Sequence, residues 1–384
     1  MRLPSTGVSL SPSTLHRAPR PVRTDPAPVD GGRAPGPGPG ELDSVPGLAE
    51  GSAAVDATEG ITALGEEVFA IDTLMAGYPG ITSSYLIRTE RPCVVEVGTA
   101  GSAEVLRDRM AALGIGADDL ATIVVTHIHL DHAGGVGDIA RMFPRAEIVV
   151  HERGARHLAD PERLMRSARM VWGDRLDVLF GEMSPSDADR IRTVGTTGEV
   201  DLGAGRRLVA HYSPGHAKHH VGLVDSATGD LYAGDALGVY NPYTGDVRPA
   251  TPPPDFDFGA ARRSLDLFGD IGARRLMFSH FGAVEEVEGT LERAREELHA
   301  WVEEVRRARA STGDLDHAVG MVRDAVLKRY RPLPEEAPAE AAQVMDVLSG
   351  VEGNTSGIWH WLDRLEAEQE AAQGAPGSPS SRSR

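Results

Sequence analysis

Thr126-His-Ile-His-Leu-Asp-His-Ala-Gly-Gly135 follows directly on the apolar run 121–125 and places His127, His129, Asp131 and His132 within six residues. Histidine nitrogen and aspartate oxygen suit zinc and its first-row neighbours, and alternate positions let two imidazoles converge on one ion. The adjacent pair, Asp131 and His132, faces a different direction. The stretch therefore reads as two half-sites, one for His127 and His129 and a second for Asp131 and His132. The alternative is a solvated, histidine-rich turn. Donors packed between a buried strand and a Gly-Gly helix start weigh against it.

Outward from this stretch the chain alternates strands and helices. Upstream, 68–73, 84–88 and 93–97 read as strands between Gly, Pro and Arg turn signals. A helix capped by Ser102 runs to Gly114. Downstream come a helix at 135–142 and a strand at 147–151, then an irregular helical stretch, 152–189, that reads as a lid or connector. A second strand set follows at 207–212, 221–224, 231–233 and 275–279, with a helix at 258–268 before the last. This pattern predicts an α/β sandwich.

Beyond Gly282 the chain turns helical. In 284–310, Val287, Leu291, Ala294 and Leu298 form an apolar stripe that packs on its own domain or on a twin, so a homodimer is one expectation. Further helices are expected at 315–330, 339–348 and 358–370, with Trp359 and Trp361 serving helix packing. The expected organisation is a disordered Pro/Gly-rich tail at 1–55, a catalytic domain at 56–283, a helical region at 284–370 and a frayed tail at 371–384.

With 384 residues, 41% of them hydrophobic, the chain can build a sizeable core. A net charge of -18 argues against a nucleic-acid or anionic membrane partner and favours a small molecule. The one cysteine, Cys93, lies in a strand-like run and reads as a small buried apolar residue, which excludes a disulfide within the chain. With no apolar leader and no stretch of about 18 apolar residues, the expectation is a soluble, cytoplasmic protein.

A two-ion site needs further donors, and each candidate follows a predicted strand. His216 ends Ser213-Pro-Gly-His216, Asp235 ends Ala233-Gly-Asp235, and His280 lies in Ser279-His-Phe-Gly282. Ligand groups gather at the carboxyl ends of strands in open α/β sheets, so these three can meet the first four. Taken singly, they also read as a turn histidine, an Asx-turn aspartate and a surface histidine.

In this order the motifs resemble metallo-β-lactamase-fold hydrolases over about residues 60–283. The resemblance implies a four-layer αββα sandwich with a helical C-terminal extension and metals at one edge between two sheets. It also implies His127, His129 and His216 as first-site ligands, Asp131, His132 and His280 as second-site ligands, and Asp235 as the bridging carboxylate. The stretches 150–161, 234–240 and 251–256 resemble a glyoxalase II-related subgroup. One departure is Val95-Glu-Val-Gly98, where Glu96 replaces a shorter carboxylate and its longer reach can shift a metal ligand. The helical C-terminus matches glyoxalase II in placement but shows no thiol-cofactor signature.

The chemistry expected is hydrolysis of a small ester, thioester or lactone. Two divalent ions roughly 3.5 to 4 Å apart lower the pKa of a shared water, giving a metal-bridging hydroxide that Asp131 orients. Zinc is the first expectation, and iron or manganese suits the same donors. Alternatives are a mono-iron sulfur dioxygenase using a subset of these ligands, a phosphodiesterase, and a non-catalytic interaction module with a structural metal. His129 stands where the resemblance implies glutamate in a diiron oxygen reductase, which weighs against that branch. His157, His219 and Tyr240 are further candidates for substrate contact or ligand support.

Overall fold

The computed structural model describes residues 57–335 and 350–374. The expected tail at 1–55 and the helix at 339–348 lie outside the described residues. Strands β1 (Ile61–Gly65), β2 (Val68–Asp72), β3 (Ser83–Ile87), β4 (Cys93–Val95), β5 (Thr122–Val124), β6 (Glu147–His151) and β7 (Ile191–Val194) form one sheet in chain order. The second half supplies β8 (Thr197–Asp201), β9 (Arg207–Tyr212), β10 (Val221–Asp225), β11 (Asp230–Tyr232), the small hairpin β12 (Val239–Tyr240) and β13 (Val247–Arg248), then β14 (Arg275–Phe278) and β15 (Gly282–Val284). Its larger sheet runs β15-β14-β11-β10-β9-β8.

Strands β4 to β7 are parallel, as are β11 and β14, so their carboxyl ends share an edge within each sheet. Side chains alternate between the faces of a strand, and both faces here are covered, which makes the central strands continuous apolar runs. Val95, Val124 and Val149 point into the space between the sheets, against Leu208, Leu223 and Met277. Their neighbours Val94, Ile123 and Ile148 face outward and pack with Leu106 and Met110 of α1 (Ala103–Ala112) and with Ile139. These layers, with the helices on the outer face of the second sheet, give the four-layer αββα sandwich.

On the first sheet's side lie α2 (Leu130–Ala133), α3 (Val136–Met142), α4 (Glu152–Ala159), α5 (Glu162–Trp172) and α6 (Arg175–Leu179). The expected helical stretch 152–189 therefore ends at Leu179, and the chain then crosses to β7. The outer face of the second sheet carries α7 (Phe258–Ile271), α8 (Val287–Ser311), α9 (Leu315–Val326) and α10 (Val351–Gly374). Leu291, Ala294 and Leu298 are buried in one cluster with Phe268, Leu276 and Phe278, so the predicted stripe packs on its own chain. Trp361 meets Phe258 at 5.5 Å between ring centroids, which is helix packing as expected.

Strands β1, β7, β8 and β15 go unpredicted by hydrophobic pattern, and they are the outermost strands of the two sheets. In Thr197-Gly-Glu-Val-Asp201 only Val200 is buried, because an edge strand has too little cover to need an apolar run. Helix α10 begins at Val351, ahead of the expected start at 358, and it continues through Gly374 rather than fraying at 371. Its early turns carry Gly353-Asn-Thr-Ser-Gly357, a run of poor helix formers. Among the described residues no helix is long and apolar enough to cross a membrane. Cys93 is buried, and burial pushes its thiol far above the usual range.

Candidate metal centre

Each of the predicted donors leaves the carboxyl end of a strand. His127 and His129 follow β5, and α2 carries Asp131 and His132. His216 follows β9, Asp235 follows β11 and His280 follows β14. The sandwich brings these loops to one edge. His127 Nε2 lies 3.1 Å from His129 Nδ1, which lies 2.9 Å from His216 Nε2. Asp131 Oδ2 stands 3.3 Å from His280 Nε2 and 3.6 Å from His132 Nε2.

Asp235 lies between the two sets. Its Oδ2 is 3.6 Å from His216 Nε2, and its Oδ1 is 3.4 Å from His132 Nε2 and 3.6 Å from His280 Nε2. Donor atoms of His127, His129 and His216 fall within 4.8 Å of one another. The same holds for His127, His132 and Asp235, and for Asp131, His132 and His280.

The outer ring nitrogens are anchored. His216 Nδ1–H donates to the Ala250 carbonyl at 3.0 Å, and His280 Nδ1–H donates to the Ile81 carbonyl at 2.9 Å. A carbonyl only accepts, so Nδ1 carries a proton in each ring and Nε2 is the nitrogen turned inward. His127 Nδ1 rests 3.0 Å from Thr126 Oγ1.

Glu96 sits behind His132. Its Oε1 accepts from the Thr126 N–H at 2.9 Å, and its Oε2 lies 3.2 Å from His132 Nδ1. The residue adopts φ 64°, a left-handed backbone that is costly for a side chain with a Cβ. In that conformation the longer carboxylate still reaches both β5's exit and a donor ring. Glu96→Gln, which keeps the shape and removes the charge beside Nδ1, is expected to weaken metal binding about tenfold or more. Competition titration against a chromophoric chelator measures it, and unchanged affinity would reduce Glu96 to a space-filling role.

Electrostatics divide the cluster. Burial, reinforced by neighbouring histidines, holds His127 well below the usual imidazole range, and it brings His129 down to about 4. His216 is lowered by burial as well. At His132 burial acts in the same direction, but the carboxylates of Asp235, Asp131 and Glu96 outweigh it and hold the ring well above its ordinary value. Burial would raise Asp131 and Asp235, yet His132 and His280 hold both below the carboxylate range.

The remaining candidates lie around this group. His219 is buried, with its ring stacked on His127 at 6.2 Å and its Nδ1 3.4 Å from the Ile128 nitrogen. His157, on α4, accepts from Arg156 Nε at 3.1 Å and lies outside the donor groups. Tyr240 reaches the site by its backbone, whose N–H donates to the His280 carbonyl at 2.6 Å, while its ring leans on Phe278.

The sequence pairs His219 with His220 ahead of a strand and predicts one inward ring; His219 is buried, and so is His220. Its Nε2 accepts from the Asp235 N–H at 3.1 Å, and its Nδ1 lies 2.9 Å from Ser213 Oγ. Gly234 adopts φ 51°, and a Cβ there would fall 2.4 Å from His220 Nε2, so the strand end needs glycine for this contact. The doubled histidine at 219 and 220 was the available signal.

Two atoms test whether the cluster suits a cation. Asp235 Oδ1 and His132 Nε2 are buried and face each other at 3.4 Å without a well-formed hydrogen bond, whereas Glu96 Oε2 and His132 Nδ1 pair with each other at 3.2 Å. Leaving buried polar atoms unpaired costs about 1 to 3 kcal/mol each. A divalent ion beside Asp235 Oδ1 and His132 Nε2 would satisfy both, and the nitrogen and oxygen donor set suits zinc, iron or manganese.

A family profile described as Metallo-beta-lactamase superfamily matches residues 77–280. A metallo-beta-lactamase fold-containing protein of Sulfurisphaera tokodaii is 34% identical over 171 residues, 44% of this chain and 62% of the relative. A hydroxyacylglutathione hydrolase of Synechococcus sp. is 29% identical over 158 residues, 40% of this chain and 48% of the relative. The chain thus spans less than two thirds of the length of these curated relatives. A solved archaeal metallo-beta-lactamase superfamily protein from Sulfolobus tokodaii shares the fold, with a TM-score of 0.57, 23% identity, and coverage of 77% of this chain and 99% of that one.

Proposed function

From the premise that the chain belongs to the metallo-beta-lactamase superfamily, we propose that it is a two-metal hydrolase of a small ester, thioester or lactone. One observation carries this reading: two sets of donors meet at Asp235, whose two oxygens face different sets. His127, His129 and His216 would hold one ion, Asp131, His132 and His280 the other, and Asp235 both. Zinc is the first candidate. When bound, the ions supply an acidified water and an electrophilic contact for a carbonyl oxygen.

The chain's own groups set up that chemistry. The Ala250 and Ile81 carbonyls hold Nδ1 of His216 and His280, so each ring turns Nε2 to the centre. The Asp131 side chain is 17% exposed, against 1% for His132 and 2% for His280. It is the carboxylate on the solvent side, from where it would orient an attacking water. A cavity beside His216 and Asp235 is lined largely by apolar side chains, among them Leu237, Phe256, Leu265 and Leu298.

Similarity to a hydroxyacylglutathione hydrolase supports the thioester arm. Elemental analysis joined to a screen of thioesters, lactones and phosphodiesters tests the proposal. About two ions per chain with thioester, ester or lactone turnover is the expected result. A single iron with oxygen uptake on persulfides, or turnover of phosphodiesters alone, would replace it.

A further inference from the structure

We propose that Asn354, in the early part of α10, is a positioning residue for the metal centre, acting on His216 through the backbone of residues 249–251. The proposal rests on the reading of His216 as a metal ligand. His216 depends on the Ala250 carbonyl for its tautomer and ring direction. Ala250 lies after β13 outside any regular element, so no sheet or helix ladder fixes that carbonyl.

Asn354 brackets it. The side-chain Nδ2–H donates to the Pro249 carbonyl at 2.8 Å, and Oδ1 accepts from the Thr251 N–H at 2.7 Å. Thr251 Oγ1 lies 2.9 Å from Asn354 Oδ1 and 3.1 Å from the Asn354 carbonyl. The amide has one possible sense here, because the Pro249 carbonyl only accepts and the Thr251 N–H only donates. Holding the residues on both sides of Ala250 leaves its carbonyl aimed at His216 Nδ1. Asn354 is 4% exposed and Thr251 1%, so water does not compete for these bonds.

The helix is shaped for this contact. A Cβ on Gly357 would lie 1.7 Å from the Thr251 carbonyl oxygen, so only glycine lets α10 come so close. This accounts for the weak helix formers at 353–357: they serve the approach to 249–251, and packing of Ile358, Trp359 and Trp361 supplies the helix stability. The loop preceding His216 is held from another side, by the Ser264 hydroxyl donating to the Pro214 carbonyl at 2.6 Å and the Asp257 N–H donating to the Gly215 carbonyl at 2.9 Å. With the loop held there, the ring of His216 answers to Ala250, and Ala250 to Asn354.

The test compares wild type, Asn354→Ala, Gly357→Ala and His216→Ala as full-length chains. Metal affinity is read by competition titration, the ligand field by absorption of the cobalt-substituted proteins, and folding by circular dichroism. Asn354→Ala and Gly357→Ala are expected to fold, to bind one of the two ions about ten- to a hundredfold more weakly, and to alter the cobalt spectrum. Should Asn354→Ala not fold, Asn354→Asp, which keeps the acceptor and loses the donor, carries the same comparison. If His216→Ala loses an ion while the folded Asn354 and Gly357 variants keep wild-type affinity and spectrum, the positioning role is overturned and the ligand reading stands. If His216→Ala binds both ions as wild type does, the ligand reading itself fails.

Discussion

Replacing Asp235 by alanine is expected to lower hydrolysis by about a thousandfold or more, the range seen when a group central to transition-state charge is removed. Its carboxylate is the contact that both donor sets share, with Oδ2 facing His216 and the buried Oδ1 facing His132 and His280. Without it the remaining donors divide into one set of three imidazoles and one set with a single carboxylate, too little negative charge to hold two dications close together. Metal content measured on the purified variant should fall below that of wild type in parallel with turnover. A variant that keeps two ions and the wild-type rate would remove Asp235 from the centre.

Chelation followed by dialysis is expected to abolish turnover and to lower the melting temperature, with both restored by added zinc. The native state alone presents the gathered donors, so ligand present at a hundredfold over its dissociation constant stabilises by about 2.7 kcal/mol. For a chain of this size that is a shift of about 3 to 4 °C. Scanning calorimetry on stripped and reloaded protein measures it. An unchanged melting temperature with unchanged turnover would mean that the histidines form a hydrogen-bonded core and the metal-dependent reading is wrong.

Legibility in the sequence tracked how local each signal was. His127, His129, Asp131 and His132 stand within one short stretch, and His216, Asp235 and His280 each close a strand with a glycine or serine beside it, so the donors were readable. Central strands such as β4, β5 and β6 are buried on both faces and show as apolar runs. Edge strands β1 and β8 bury too little to leave a pattern. His220 and Asn354 act by hydrogen bonds to backbone far away in the chain, and spacing holds no record of such contacts. Glu96 was noticed as a departure, but its left-handed backbone, which lets the longer side chain serve, belongs to the folded strand end alone.

The sharing of donors between the two sheets bears on the order in which this molecule is made. As the chain emerges during synthesis, the first sheet's His127, His129, Asp131 and His132 appear well before β14 has been translated, and domains tend to fold as they emerge. On the proposed two-metal reading, the early half would hold each ion by an incomplete set, since His216, Asp235 and His280 arrive later. His280 docks only when its ring reaches the Ile81 carbonyl and the Ser279 carbonyl meets the Ser83 N–H across the two sheets. Full occupancy would therefore be a late event in biogenesis, and a loaded chain would be one whose two halves have already closed on each other.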